Sequence, residues 1–152
     1  GMIITNFEAR LSEILCLVAY MTMLMGTGGN TGSQAATLII RGLATGEVET
    51  SDALRILWKE IRIGLVIGVI LSLFNFARIC LFDRYDVMIA LTVCSAMLFI
   101  VIFAKVLGSM VPLLVKKLKL DPALIANPAI SSISDTVALT IYFAMASLFL
   151  GL

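Results

Sequence analysis

Four long apolar runs alternate with shorter polar connections along the chain, and this pattern predicts the architecture. The first run, 13–25, is short for a membrane crossing of about 20 residues, so its helix is drawn over 9–27. The second, "IGLVIGVILSLFNFARICLF", predicts a helix over 63–83, the third one over 87–115, and the fourth one over 129–151. Length makes all four helical, because only helices and closed barrels satisfy their own backbone in lipid. The even in–out alternation of a barrel strand is absent. Before the second run, "SDALRILWKEIR" places Leu54, Leu57, Trp58 and Ile61 on one face and Arg55, Lys59 and Arg62 on another. That amphipathic pattern predicts a short interfacial helix over 51–62, capped by Ser51, with Trp58 at headgroup level. The fold class expected is an all-α membrane protein of four transmembrane helices plus this interfacial helix, one domain over 1–152.

Composition agrees. Hydrophobic residues make up 61% and charged residues 14% of 152 positions, with mean hydropathy +1.08, against about 45–50% and about 25% in soluble domains. So much apolar surface requires a lipid bilayer around it. A net charge of +1 gives no reason to expect nucleic acid as a partner. Cys16, Cys80 and Cys94 lie scattered in apolar runs and read as small buried hydrophobes. Histidine is absent, and no nucleophile–base pair stands out, so the chain is not read as an enzyme.

Basic residues set the orientation. Arg41, Arg55, Lys59, Arg62, Lys116, Lys117 and Lys119 fall on one side, and Arg10, Arg78 and Arg84 on the other. The connections 27–62 and 116–128 are therefore expected in the cytoplasm and both chain ends outside. The N-terminus "GMIITNFEARL" is no signal peptide, and Gly1 before Met2 reads as a tag remnant. An outside N-terminus without a signal sequence leads to the expectation of a preceding helix, with Ile3-Ile4-Thr5 as its tail.

Two stretches carry candidate chemistry. Asp135 is a carboxylate inside the fourth apolar run, where such a group normally faces water or a partner. Asn127 and Ser131 precede it at i−8 and i−4, so the three rise along one helical face over about 12 Å; Ala138 and Tyr142 continue that stripe. Oxygen groups ending in one carboxylate suit a hydrated hard cation, and Mg²⁺ in particular keeps its waters. Other readings stand beside this one. Asn127-Pro128 makes a good helix cap, the serines can bond to the preceding turn, and Asp135 can pair with Lys105 or Arg78. The other stretch is "MGTGGNTGSQ" at 25–34. It has neither the Gly-Lys-Ser/Thr nor the preceding strand of a phosphate loop. Close helix packing through small residues and a pore lining bearing Asn30, Ser33 and Gln34 both remain open. The lysines of "KKLKL" read as a solvated loop, or as contacts for anionic lipid or a partner domain.

"GTGGNTGSQAATLIIRGLATGEV" resembles the glycine–asparagine signature of the MgtE family of magnesium channels and transporters, and "LLVKKLKLDPALIANPAISSISDTVALTIYF" resembles the signature around that family's last transmembrane helix. The likeness covers nearly the whole chain. It implies a five-helix membrane domain that forms a homodimer in the cell membrane, with the ion path between the family's second and fifth helices, here the first and fourth runs. It implies that Asp135 holds a hydrated Mg²⁺, the transported ion, with Asn127 close by and Asn30, Gly28 and Gly29 on the other pore-side helix; Ala138 is expected to line the pore as well, and the residues do not choose among Mg²⁺, Mn²⁺ and other divalent cations. By the same resemblance, most of the first family helix and the cytosolic regulatory domains are expected to lie outside this sequence. Thr22 replaces a common proline and Ala138 a common glycine. The expected function is Mg²⁺ transport through a dimeric pore. The alternative is a Na⁺-coupled divalent cation exchanger, disfavoured because no second intramembrane acid stands out.

Overall fold

The computed structural model describes the backbone of residues 2–152 and the side chains at positions 8 and 11–152. Gly1, and with it the tag reading, lies outside the described residues, as do the side chains of Ile3, Ile4 and Thr5. Four helices follow one another: α1 (Met2–Thr45), α2 (Ala53–Arg78), α3 (Val87–Lys117) and α4 (Pro122–Leu150). A 3₁₀ turn, Thr50–Asp52, leads into α2, and a π-helical turn, Ile79–Asp83, leads out of it. Each helix is long and apolar enough to cross a membrane, and no strand occurs among the described residues. The all-α membrane fold expected from the sequence is the fold observed.

Three boundaries differ from the sequence pattern. The first helix is expected to end at 27 and a connection to follow, yet α1 stays helical to Thr45. Glycine costs about 1 kcal/mol against alanine within a helix, whereas an unsatisfied backbone group in lipid costs several. Thr27 and Thr37 also donate their hydroxyls to the carbonyls of Met23 (2.8 Å) and Ser33 (2.9 Å), which needs no partner outside the helix. At 44 residues α1 runs about 66 Å, so it extends well past a hydrocarbon core of about 30 Å. It stops at Gly46, whose φ of +78° suits glycine.

The interfacial helix expected over 51–62 is not separate: its residues form the 3₁₀ turn and the first turns of α2, with no break before the membrane run. Asp52 rather than Ser51 secures that start, accepting from the Glu49 backbone N–H at 3.0 Å. Likewise α4 begins at Pro122 rather than 129. The Asp121 carboxylate accepts from the Ala123 N–H at 3.0 Å, a cap with proline at the first helical position. The cap reading of Asn127-Pro128 is thereby corrected, since both residues lie inside α4.

α3 is the hub, packed against α1, α2 and α4, while α2 packs mainly on α3 and reaches α1 through Arg78, which lies over the Tyr20 ring. Leu24, Val93, Met97, Ile100, Val101 and Tyr142 fill the main core, and the Tyr142 hydroxyl donates to the Leu17 carbonyl at 2.7 Å. Glycines set the closest crossings. A Cβ on Gly108 would fall on the backbone of Gly32, and one on Gly28 would come within 2.9 Å of Ile100 Cγ2. Gly64 and Gly68 play the same part for α2, facing Ile102 and Leu98 of α3. Small residues four apart let membrane helices approach closely. All three cysteines are free.

Two ion pairs occur among the described residues, and neither includes Asp135. Lys105 lies 3.7 Å from Glu60, with both side chains only 9% exposed between α2 and α3. Arg78 lies 3.8 Å from Asp83, which also accepts the Tyr20 hydroxyl at 2.5 Å. The expected pairing of Asp135 with Lys105 or Arg78 is corrected by these contacts. Glu60 is moreover a buried acid, turned inward between α2 and α3 within the segment that the sequence pattern made an interfacial helix. Both partners of such a pair are costly to bury alone, so each fixes the other on the α2–α3 side.

Candidate cation site

α4 presents one stripe to the core and another alongside it. Ala126, Ile130, Ser134, Ala138, Tyr142 and Ala146 recur every fourth residue and are all buried. Asn127, Ser131 and Asp135 form the adjacent stripe, the first two exposed and the carboxylate half-buried. Further along α4, Tyr142 and Ala146 of the buried stripe line a recess with Leu17, Val18 and Met21 of α1. The serine alternative is not what holds this stripe together: the hydroxyls that bond to the preceding turn are those of Thr136 and Thr140, which donate to Ser132 and Thr136.

On α1, the polar residues divide between two faces. Gly32 points into the junction with α3 and α4, where a Cβ would meet Ile130 Cγ2 at 2.8 Å and Ser134 Oγ at 3.5 Å. The opposite face carries Asn30, Ser33, Gln34 and Thr37, which with Leu38 line an open recess of about 580 Å³. Among the described residues, only α1 side chains line this recess. The level of the Gly32 contact places these amides and hydroxyls at the same depth as 130–134 of α4.

The sequence-derived site residues thus separate. Asn127, Ser131 and Asp135 share a stripe of α4, and Asn30 is exposed on α1. Gly29 has open space where a Cβ would be. Gly28 and Ala138 point inward; Ala138 is 2% exposed within the main core. Ala138 is about 60° round the helix from Asp135 and is buried because α1 and α3 pack over it there. Ser134 was not singled out from the sequence. Its hydroxyl is buried at the three-helix junction without a hydrogen-bond partner among the described residues, and its signal was its place four residues after Ile130 on the core stripe.

Chemically, the single chain offers one carboxylate with amide and hydroxyl oxygens beside it. Among the described residues no three acidic, histidine or cysteine groups converge on one point. A dehydrated ion needs more ligands than this, whereas a hydrated dication needs only one or two carboxylates.

Residues 21–145 match the model of a family described as MgtE, divalent cation transporter. The chain is 40% identical over 148 residues to the magnesium transporter MgtE of Thermus thermophilus, covering 97% of this chain and 32% of that protein. It is 31% identical over 150 residues to the magnesium transporter MgtE of Bacillus subtilis, covering 99% of this chain and 33% of that one. A third relative, the magnesium transporter MgtE of Enterococcus faecalis, is 31% identical over 148 residues. The chain spans about a third of the length of each of these relatives.

Proposed function

We propose, since this chain belongs to the MgtE family of divalent cation transporters, that two copies of it form a pore conducting Mg²⁺ across the plasma membrane. Hydrated Mg²⁺ is captured between the Asp135 carboxylates of the two copies. Asn127, Ser131 and Asn30 offer oxygens to its water shell, Gly29 leaves room for it, and Gly28 and Ala138 pack behind the ion path. The observation that carries this reading is the state of Asp135: half-buried in a membrane helix, with its candidate counter-cations held elsewhere by Glu60 and Asp83. A carboxylate left unneutralised at that depth is available to an ion.

Selection by charge follows from Coulomb's law, since a dication gains twice the attraction of a monovalent ion at the same distance. Water-mediated capture leaves Mn²⁺ and other divalent cations as possible cargo. Pairing of two copies supplies the second carboxylate that one chain lacks, and the open polar recess of α1 supports that pairing. The end of the bundle that holds the start of α2 and the end of α3 also holds seven of the eleven basic residues, Arg41, Arg55, Lys59, Arg62, Lys116, Lys117 and Lys119, which supports a cytoplasmic placement of that end.

Conduction down a gradient is favoured over Na⁺-coupled exchange, because Glu60, the second acid, is occupied by Lys105. The test is Mg²⁺ influx into proteoliposomes that contain an Mg²⁺ indicator. Influx is expected from an Mg²⁺ gradient alone, at a rate unchanged by imposing a Na⁺ gradient of either direction. Influx that requires Na⁺ on the opposite side would contradict the pore.

A further inference from the structure

Lys59, Arg62, Ile63, Val66 and Ile67 line a single recess of about 390 Å³ on α2. Their spacing, i, i+3, i+4, i+7 and i+8, makes one stripe of the helix about 12 Å long. The two cations sit at its outer end, toward the start of α2, and the aliphatic side chains continue it into the membrane run. This end of α2 is level with the end of α3, since Thr50 and Ala53 share a recess with Leu114 and Lys117. The stripe therefore passes from the interface into the bilayer.

Neither cation has an internal counter-ion among the described residues. Glu60, the neighbouring acid, is turned inward onto Lys105. Arg62 is instead held over the Trp58 ring at 5.9 Å, and Trp58 itself is 62% exposed. An exposed tryptophan at the end of a membrane helix marks the headgroup level, and stacking restricts the guanidinium to one side of it. A guanidinium and an ammonium at headgroup depth, continuous with three aliphatic side chains, match a molecule with one anionic phosphate and an acyl chain beneath it.

We propose that this recess of α2 is a binding site for one anionic phospholipid, its phosphate between Lys59 and Arg62 and an acyl chain along Ile63, Val66 and Ile67. Charge complementarity decides for an anionic lipid over a zwitterionic one, whose own ammonium would sit against the two cations. The site lies away from Asp135 and stands independently of what the protein conducts.

Trp58 is the only tryptophan of the chain, so its fluorescence reports on this end of α2. The full chain is reconstituted in phosphatidylcholine vesicles containing a small fraction of lipid brominated in its acyl chains, a collisional quencher. Brominated phosphatidylglycerol is expected to reach half-maximal quenching at a mole fraction lower than that of brominated phosphatidylcholine by about fivefold for one engaged cation and up to about thirtyfold for both. In Lys59→Gln/Arg62→Gln this preference is expected to disappear, and in Arg55→Gln/Lys117→Gln, which removes two charges from the same end but outside the recess, to remain. Equal quenching by the two lipids in the wild-type chain overturns the site. So does loss of the preference in both variants alike, which points to general leaflet electrostatics, or its survival in Lys59→Gln/Arg62→Gln.

Discussion

An Asp135→Asn protein is expected to accumulate in the membrane at the wild-type level and to carry Mg²⁺ at least tenfold more slowly. Two features give this substitution its leverage. The carboxylate is half-buried and takes part in neither of the ion pairs, so asparagine, nearly the same size, leaves no partner stranded. The loss then falls on the ion rather than on the fold. Two unit charges 4 Å apart attract by about 4 kcal/mol near a protein surface, and a dication doubles that. Even about 1.4 kcal/mol of lost attraction corresponds to a factor of about ten in occupancy. Growth of a strain devoid of other Mg²⁺ routes measures the effect, with immunoblotting of membranes as the control for amount. Full rescue by Asp135→Asn removes the assignment of this residue; a drop in membrane amount that accounts for the whole loss makes it structural.

The second large effect is expected at the crossing of α1 and α3. A Cβ on Gly108 falls on the backbone of Gly32, and its next contacts are the Gly32 Cα and carbonyl carbon, both at 2.9 Å. Backbone atoms have no rotamer into which to retreat, so Gly108→Ala has to push the two helices apart along their length. Overpacking of this kind costs about 1–3 kcal/mol and occasionally more, and a backbone collision belongs at the upper end. Gly26→Ala is the matched control: nothing lies within 4 Å of its Cβ position, and alanine there gains up to about 1 kcal/mol of helix propensity. Thermal unfolding in detergent is expected to show a clear fall for Gly108→Ala and no fall for Gly26→Ala. An unchanged midpoint for Gly108→Ala contradicts the close crossing.

The same glycines mark where the sequence was readable and where it was not. Runs of apolar residues over 63–83 and 87–115 announced α2 and α3, because a bilayer imposes a minimum length on any span. The stretch from Gly26 to Gln34 left close helix packing and pore lining open, because glycine and amide side chains weaken helices in water and the contact that favours the helix lies on Gly108, far along the chain. Asn127, Ser131 and Asp135 were legible as one stripe from spacing four alone. Ala138 was not, since its burial depends on where α1 and α3 pack against α4, and spacing does not show that. Glu60 was misjudged for a related reason. An acid flanked by Lys59 and Arg62 resembles a surface pattern until its partner Lys105, on another helix, is seen.

If α1 and α4 of two copies enclose the ion path, a structure of the protein determined in Mg²⁺ and in its absence tests the central claim most directly. The expected result is Mg²⁺-dependent density on a two-fold axis between two Asp135 side chains, at a distance that leaves room for the ion's water shell. Density that is absent there, or two copies associated with their Asp135 side chains facing lipid, would contradict the account.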